Sequence, residues 1–267
     1  MSEQFDTIAE AFSRTAARYD AFAADHPHLD RVRGKVYHHI ERLIPAGARI
    51  LELNAGTGTD AAELARRGYS VHATDIAPGM LNRARAKSEQ PELGGRITVQ
   101  ACSFTELDQI TGGPYDAVFS NLGGLNCLPD LSPVIRQLPQ VLKPGGTITW
   151  VLMPRVCLWE MAEIFRGHPR LAFRRFSKNG TRTHLEGLYF TTYYFTPRQV
   201  IGWFGDNYQV LALEGLSVIT PTTESKNLAK RHPNFYNALA WLDNRLSHHA
   251  PWQAWGDFFI LTLIYHP

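Results

Sequence analysis

The stretch ILELNAGTGTDAAELARRG, residues 50–68, decides the architecture. An apolar run enters a turn carrying Gly56 and Gly58, and a helical pattern leaves it with Gly68 as its stop. Glycine permits dihedrals and close approaches that side chains forbid. The helix start at Thr59 to Ala61 offers unpaired N–H groups and a positive dipole end, which suits a carboxylate or phosphate. Working outward, ARILEL (48–53), SVHATD (70–75), RITVQA (96–101), YDAVFSN (115–121) and TITWVLM (147–153) read as strands. GMLNRARAKSE (79–89) and LSPVIRQLPQVLK (131–143) read as helices, with a shorter helical piece near Thr105 to Ile110. This alternation predicts parallel βα units with right-handed crossovers.

Flanking segments differ in texture. Residues 5–26 carry Phe5, Ile8, Phe12, Tyr19 and Phe22 at helical spacing, and Pro27 ends or kinks that element. Val32 to Leu43 reads as a second helix. After Pro154 the βα rhythm stops. Leu158 to Phe165 reads as helical, while Ala172 to Phe176 and Leu185 to Phe195 read as extended. Residues 196–205 form a short helix with Thr196 as N-cap, followed by a strand (208–219), a helix (234–246) and a final strand (257–266). Nine aromatic residues lie in 1–147 and 21 in 148–267, so the second half has large side chains to spare for an apolar pocket or further core.

Composition excludes several classes. With 267 residues, 44% hydrophobic and 19% charged, the chain buries a sizeable core. A net charge of +2 gives no bulk electrostatic case for nucleic acid or an anionic membrane, though a local basic groove stays open. No apolar run approaches the roughly 20 residues of a transmembrane span. The start MSEQFDTIAEAF carries acids where a secretory signal carries bases, so a cytoplasmic location is expected. Cys102, Cys127 and Cys157 are too few and too scattered for a disulfide scaffold or a zinc site.

Asp75 ends the second strand, where an acid can accept bonds from both hydroxyls of a ribose. A nicotinamide dinucleotide would also suit this arrangement, although Ala61 stands where its fingerprint has a third Gly. No phosphate-binding G-x-x-x-x-G-K-[ST] motif is present.

Four blocks in order, ILELNAGTGT, VHATDIAPGMLNRARAK, YDAVFSNLGGLNCL and LPQVLKPGGTITWVLM, resemble the class I S-adenosylmethionine-dependent methyltransferases in their small-molecule branch. The resemblance covers roughly residues 46–153, and DFFILTLIYHP is similar to the family's last, antiparallel strand. It implies an α/β fold: a doubly wound, seven-stranded, mostly parallel sheet with helices on both faces. It implies S-adenosyl-L-methionine as donor and S-adenosyl-L-homocysteine as product. Glu52 would orient the donor's amino-acid end, and Asn54, Ala55, Gly56, Thr57 and Gly58 would place backbone beside the methionyl part. Asp75 would hold the ribose, Ile76 and Met80 would pack on adenine, and Asn121 and Leu122 would line the methionyl side. Asn54 stands where the family usually has Gly, and Asn tolerates positive φ. Cys102 stands where many relatives have an adenine-binding Asp, and thiols accept poorly. Adenine recognition then falls to Ser103, to backbone, or to stacking on Phe104.

The resemblance implies transfer by in-line displacement to a small, aromatic or hydrophobic acceptor, most readily at oxygen, with the protein aligning the pair and excluding water. Nitrogen or carbon acceptors, a nicotinamide-dependent oxidoreductase, and a non-catalytic donor-binding regulator are the alternatives. An oxygen acceptor benefits from a base. His168, His184 and Tyr189 are candidates, with His26 and His28 beside them. Tyr19 is placed on a lid over the donor, and Phe22, Asn126, Trp159 and Tyr193 are placed around the acceptor. Tyr189 and Tyr193 share a face if 185–195 is one strand. RRFSK (174–178) and KNLAKRH (226–232) read as anion contacts or solvated turns. No metal and no nucleic acid or membrane partner is expected, and the chain is expected to be a monomer or homodimer. The expected division is an N-terminal helical lid (1–45), a donor-binding core (46–153), an aromatic-rich acceptor-site insertion (154–207) and a C-terminal completion of the sheet (208–267).

Overall fold

The computed structural model describes residues 2–267. Two helices, α1 (Ser2–Ala23) and α2 (Pro27–Leu43), precede the sheet. Pro27 occupies the first turn of α2, where a missing N–H costs nothing, so it starts this helix as well as ending the last. The core then alternates: β1 (Arg49–Leu53), α3 (Thr59–Arg66), β2 (Ser70–Asp75), α4 (Pro78–Ser88), β3 (Ile97–Ala101) and β4 (Tyr115–Ser120). The helix expected over 131–143 is two short pieces, α5 (Ser132–Ile135) and α6 (Leu138–Val141), and strand β5 (Leu142–Leu152) starts earlier than expected. Pro139, without an N–H, restarts a helix at α6 instead of continuing α5.

Seven strands form one sheet in the order β3-β2-β1-β4-β5-β9-β8, with β8 (Tyr208–Leu216) and β9 (Phe258–Tyr265) completing it. Strands β1 to β5 are parallel, and β9 runs antiparallel to both its neighbours. Alternation along β1 divides the core. Leu51 and Leu53 face α5, α6 and α9 (Pro197–Phe204), while Ile50 faces the apolar stripe of α2 and α3. Trp150, Phe119 and Phe259 are fully enclosed, each stabilising the fold by roughly 1.5–3 kcal/mol relative to exposure.

The region after β5 departs from expectation. Residues 158–176 are short helical turns: α7 (Leu158–Met161), a turn at Ala162–Arg166, α8 (Pro169–Ala172) and a turn at Arg174–Phe176. Ala172 to Phe176 is therefore not extended. Pro169 starts a helical turn, and Arg174 and Arg175 must both reach Glu160. Leu185 to Phe195 is not one strand either. Glu186 and Gly187 both adopt positive φ (47° and 83°) and fold β6 (Thr181–Leu185) onto β7 (Leu188–Thr192) as a tight hairpin. Two further helices, α10 (Asn227–Arg231) and α11 (Pro233–Leu246), lie between β8 and β9.

Candidate functional site

A cavity of about 270 Å³ opens at the carboxyl ends of β1, β2 and β4, roofed by α1. Its floor is the turn after β1. Asn54, Gly56 and Gly58 have φ values of 55°, 56° and 73°, so the Asn-for-Gly departure keeps the left-handed turn. Asp75 is clamped onto this turn. Its two carboxylate oxygens accept from Gly56 N–H and Ala77 N–H, both at 2.8 Å. Burial raises its pKa, and these backbone bonds pull the other way. A Cβ added at Gly56 meets nothing within 4 Å, which leaves the backbone open to a ligand. Gly58 has another duty: a Cβ there would lie 3.1 Å from Ala84 Cα, so this glycine lets α3 pack on α4.

The polar end of the cavity is a buried charge cluster. Glu52 is 1% exposed, and its Oε2 has no hydrogen-bond partner. Burial first, then the nearby Asp60, holds its pKa well above the usual carboxylate range. Asp60 accepts from Tyr37 Oη and from Asn121 Nδ2 (3.0 Å), with Arg33 Nε 3.3 Å away. Arg33 and Asp60 line the cavity and were not among the sequence candidates. A signal existed: Leu29, Arg33, Tyr37 and Ile40 follow one buried stripe of α2, and an arginine on such a stripe needs a buried partner. Tyr19 closes this end from α1, its hydroxyl pKa raised by burial.

The other end is apolar. Phe5, Ile8, Ala9 and Phe12 of α1 face Met153, Phe190 and Cys127. Its polar groups are few. Thr183 and Thr192 hydroxyls pair at 2.7 Å, and burial pushes the Cys127 thiol up to about 12, so it stays protonated. Between the ends stands Leu122, whose φ of 47° is strained for a branched residue. Its N–H is held by Asn121 Oδ1 at 2.9 Å.

Tyr19, Asn54, Ala55, Gly56, Thr57, Asp75, Ile76, Met80, Phe104, Asn121 and Leu122 all line this cavity, and Glu52 lies buried behind it. Gly58, Cys102 and Ser103 do not line it. The Cys102 thiol points to the Ser103 and Glu106 carbonyls, and the Ser103 hydroxyl to Thr105. The Asn121 side chain is spent on Asp60 and Leu122.

The proposed bases and acceptor contacts lie elsewhere. His168 is exposed beside Glu163 at 3.0 Å. His184 and Tyr189 occupy the solvent face of the hairpin, opposite Thr183 and Phe190, with Arg182 stacked over the Tyr189 ring. β7 ends at Thr192, so Tyr193 lies past the strand and packs on the core instead of sharing the Tyr189 face. Asn126 is a buried brace binding Met153 N–H and the Tyr193 carbonyl. Trp159 donates to the Ile219 carbonyl, and Phe22 is exposed against His26. None of these seven lines the cavity, because the hairpin and α1 supply the apolar end instead.

A family model described as a methyltransferase domain matches residues 50–146. Ubiquinone biosynthesis O-methyltransferase of Xanthomonas axonopodis pv. citri is 36% identical over 107 residues, 40% of this chain and 44% of that one. The chain thus spans less than half of that relative's length. The tRNA 5-carboxymethoxyuridine methyltransferase of Escherichia coli K12 is 24% identical over 97% of this chain and 94% of its own. Residues 50–146 thus carry a methyltransferase domain. A solved complex of DhpI with S-adenosylhomocysteine shares the methyltransferase fold, with a TM-score of 0.61, full coverage of both chains and 15% identity. A methyltransferase domain implies S-adenosylmethionine as methyl donor and S-adenosylhomocysteine as product.

The residues present fit that cofactor. Glu52 Oε2, buried without a hydrogen-bond partner beside the Arg33–Asp60 pair, is an acceptor that an ammonium would satisfy. Asp75 is aimed by two N–H groups and lines the cavity as an acceptor for hydroxyls. Gly56 leaves its approach clear.

Proposed function

We propose that this methyltransferase transfers its methyl group by in-line displacement to an oxygen of a small apolar molecule held under α1. The observation that carries this reading is the apolar end of the cavity, built from Phe5, Ile8, Phe12, Met153 and Phe190 beside the glycine turn. When bound, S-adenosylmethionine supplies a methyl group already activated by its sulfonium. Arg33, Glu52, Asp60 and Asp75 hold the donor's charged and hydroxyl groups. The α1 aromatics and Phe190 exclude water and orient the acceptor by shape. No imidazole or carboxylate lines the apolar end, and Cys127 is neutral. An acceptor whose oxygen has already lost its proton in bulk water, as a carboxylate or an acidic phenol has, needs no base in these walls.

The test is product mass after incubating the chain with S-adenosylmethionine and a panel of small phenols and apolar acids. A product one methylene heavier, with methyl on oxygen, is expected. Similarity along the whole chain to the Escherichia coli tRNA enzyme favours a second reading, a nucleoside of tRNA as acceptor. Turnover with bulk tRNA and with none of the small acceptors would establish it and overturn the first.

A further inference from the structure

We propose that the lobe formed by residues 162–178 docks this enzyme on an anionic lipid surface. Ile164, Phe165, Leu171, Phe173 and Phe176 are all exposed, and Phe165 is 91% so. They fall in and between three short helical turns that follow one another in the chain. A cluster of exposed apolar side chains of this size marks a contact surface. The same stretch and its continuation into β6 are rich in cations: residues 162–185 contain Arg166, Arg170, Arg174, Arg175, Lys178 and Arg182 against one acid, Glu163, which Arg166 pairs at 2.6 Å. Apolar side chains interleaved with cations are the composition that enters the headgroup layer of an anionic bilayer.

The lobe is built to hold this shape. Buried Arg175 donates to Glu160 Oε1 at 2.6 Å and to Asp257 Oδ1 at 2.8 Å, and Arg174 grips both oxygens of Glu160 at 2.8 Å. These bonds fix its base while Arg170 and Lys178, exposed and without an ion-pair partner among the described residues, stay available. Other occupants fit less well. Ile164 and Leu171 offer no π face for nucleobases. A second copy docked through the same patch would bring cation against cation. The lobe also adjoins the cavity. Thr181 Oγ1 donates to the Arg174 carbonyl at 2.9 Å, and two residues later Thr183 lines the apolar end.

The proposal goes beyond the methyl-transfer reading and stands independently of the acceptor. Its test is cosedimentation of the full chain with phosphatidylcholine vesicles and with equal mixtures of phosphatidylcholine and phosphatidylglycerol. Binding to the anionic vesicles alone is expected, weakening as salt rises. Phe165→Ser should weaken it about tenfold. The pair Arg170→Ser and Lys178→Ser should weaken it about thirtyfold. S-adenosylhomocysteine affinity should stay at the wild-type value in both variants, which shows that they are folded and that donor binding is separate. Equal sedimentation with neutral and anionic vesicles, or variants that bind like wild type, would overturn the proposal. So would a dimer that Phe165→Ser dissociates in the absence of vesicle binding, or single-stranded RNA binding that replaces it.

Discussion

The Thr57 hydroxyl donates to Asp20 Oδ1 at 2.6 Å, tying α1 to the glycine turn beneath it. Lys87 Nζ reaches both Asp20 oxygens at 2.9 and 3.0 Å and the Thr57 hydroxyl at 3.0 Å. Burial alone would raise the Asp20 pKa, but these bonds hold it below the usual range. One carboxylate thus latches α1 to the turn and to α4. Asp20→Ala should speed S-adenosylhomocysteine release about tenfold, while a partly exposed ion pair costs only about 1 kcal/mol of stability. Stopped-flow release measures the first and thermal melting the second. A wild-type release rate would mean that α1 is held by its apolar contacts alone.

Two variants separate Asp75's hold on the glycine turn from the ribose role proposed for it. Asp75→Ala removes the acceptor facing the cavity and orphans the Gly56 and Ala77 N–H groups. Donor affinity should fall about thirtyfold, with about 2 kcal/mol lost from the apoprotein. Asp75→Asn keeps one acceptor oxygen, so it should recover part of the stability and less of the affinity. Calorimetry with S-adenosylhomocysteine that gives wild-type affinity in Asp75→Ala would remove the ribose role.

Glu52 offers a prediction of opposite signs. Its carboxylate is buried next to Asp60, its pKa is raised, and one oxygen is unpaired. A raised carboxyl pKa means that ionisation there destabilises the apoprotein at neutral pH. Glu52→Gln should therefore raise the apoprotein's stability by about 1 kcal/mol while weakening the donor roughly tenfold, since an amide binds an ammonium less well. Loss of both stability and affinity would mark Glu52 as a structural acid instead.

The polar half of the cavity was legible because its geometry is local. Turn, strand tip and helix start lie within residues 50–76, where glycine spacing, strand period and a terminal acid translate directly into position. The apolar half was not, because it is assembled from parts distant in the chain. Phe5, Ile8 and Phe12 read as an ordinary amphipathic stripe, yet they roof the cavity because α1 lies across α4 and the hairpin. Gly79 allows this approach: a Cβ there would sit 2.6 Å from the Ser13 carbonyl. Tyr189 and His184 were misplaced by one turn. The strand period was sound, but Glu186-Gly187 reverses the chain and puts both on the solvent face. Asn126 and Trp159 were credited with contacts and spend their polar atoms on backbone.

His28 sets how the fold responds to mild acid. It is fully buried, bonded to Tyr236 Oη at 2.7 Å and Ser217 Oγ at 3.2 Å, and burial lowers its pKa to about 4. The unfolded chain's histidine titrates near 6.5. Above pH 6.5 both states hold it neutral, and its contribution to stability is complete. As pH falls from 6.5 toward 4 the unfolded state takes up a proton that the folded state refuses, so stability is lost over that window, by about 3 kcal/mol in all. His28→Gln can keep a bond to Tyr236 without titrating, so its stability should be flatter between pH 6.5 and 4. Urea melts across that range decide the matter: parallel pH profiles for wild type and His28→Gln would assign the acid sensitivity to another group.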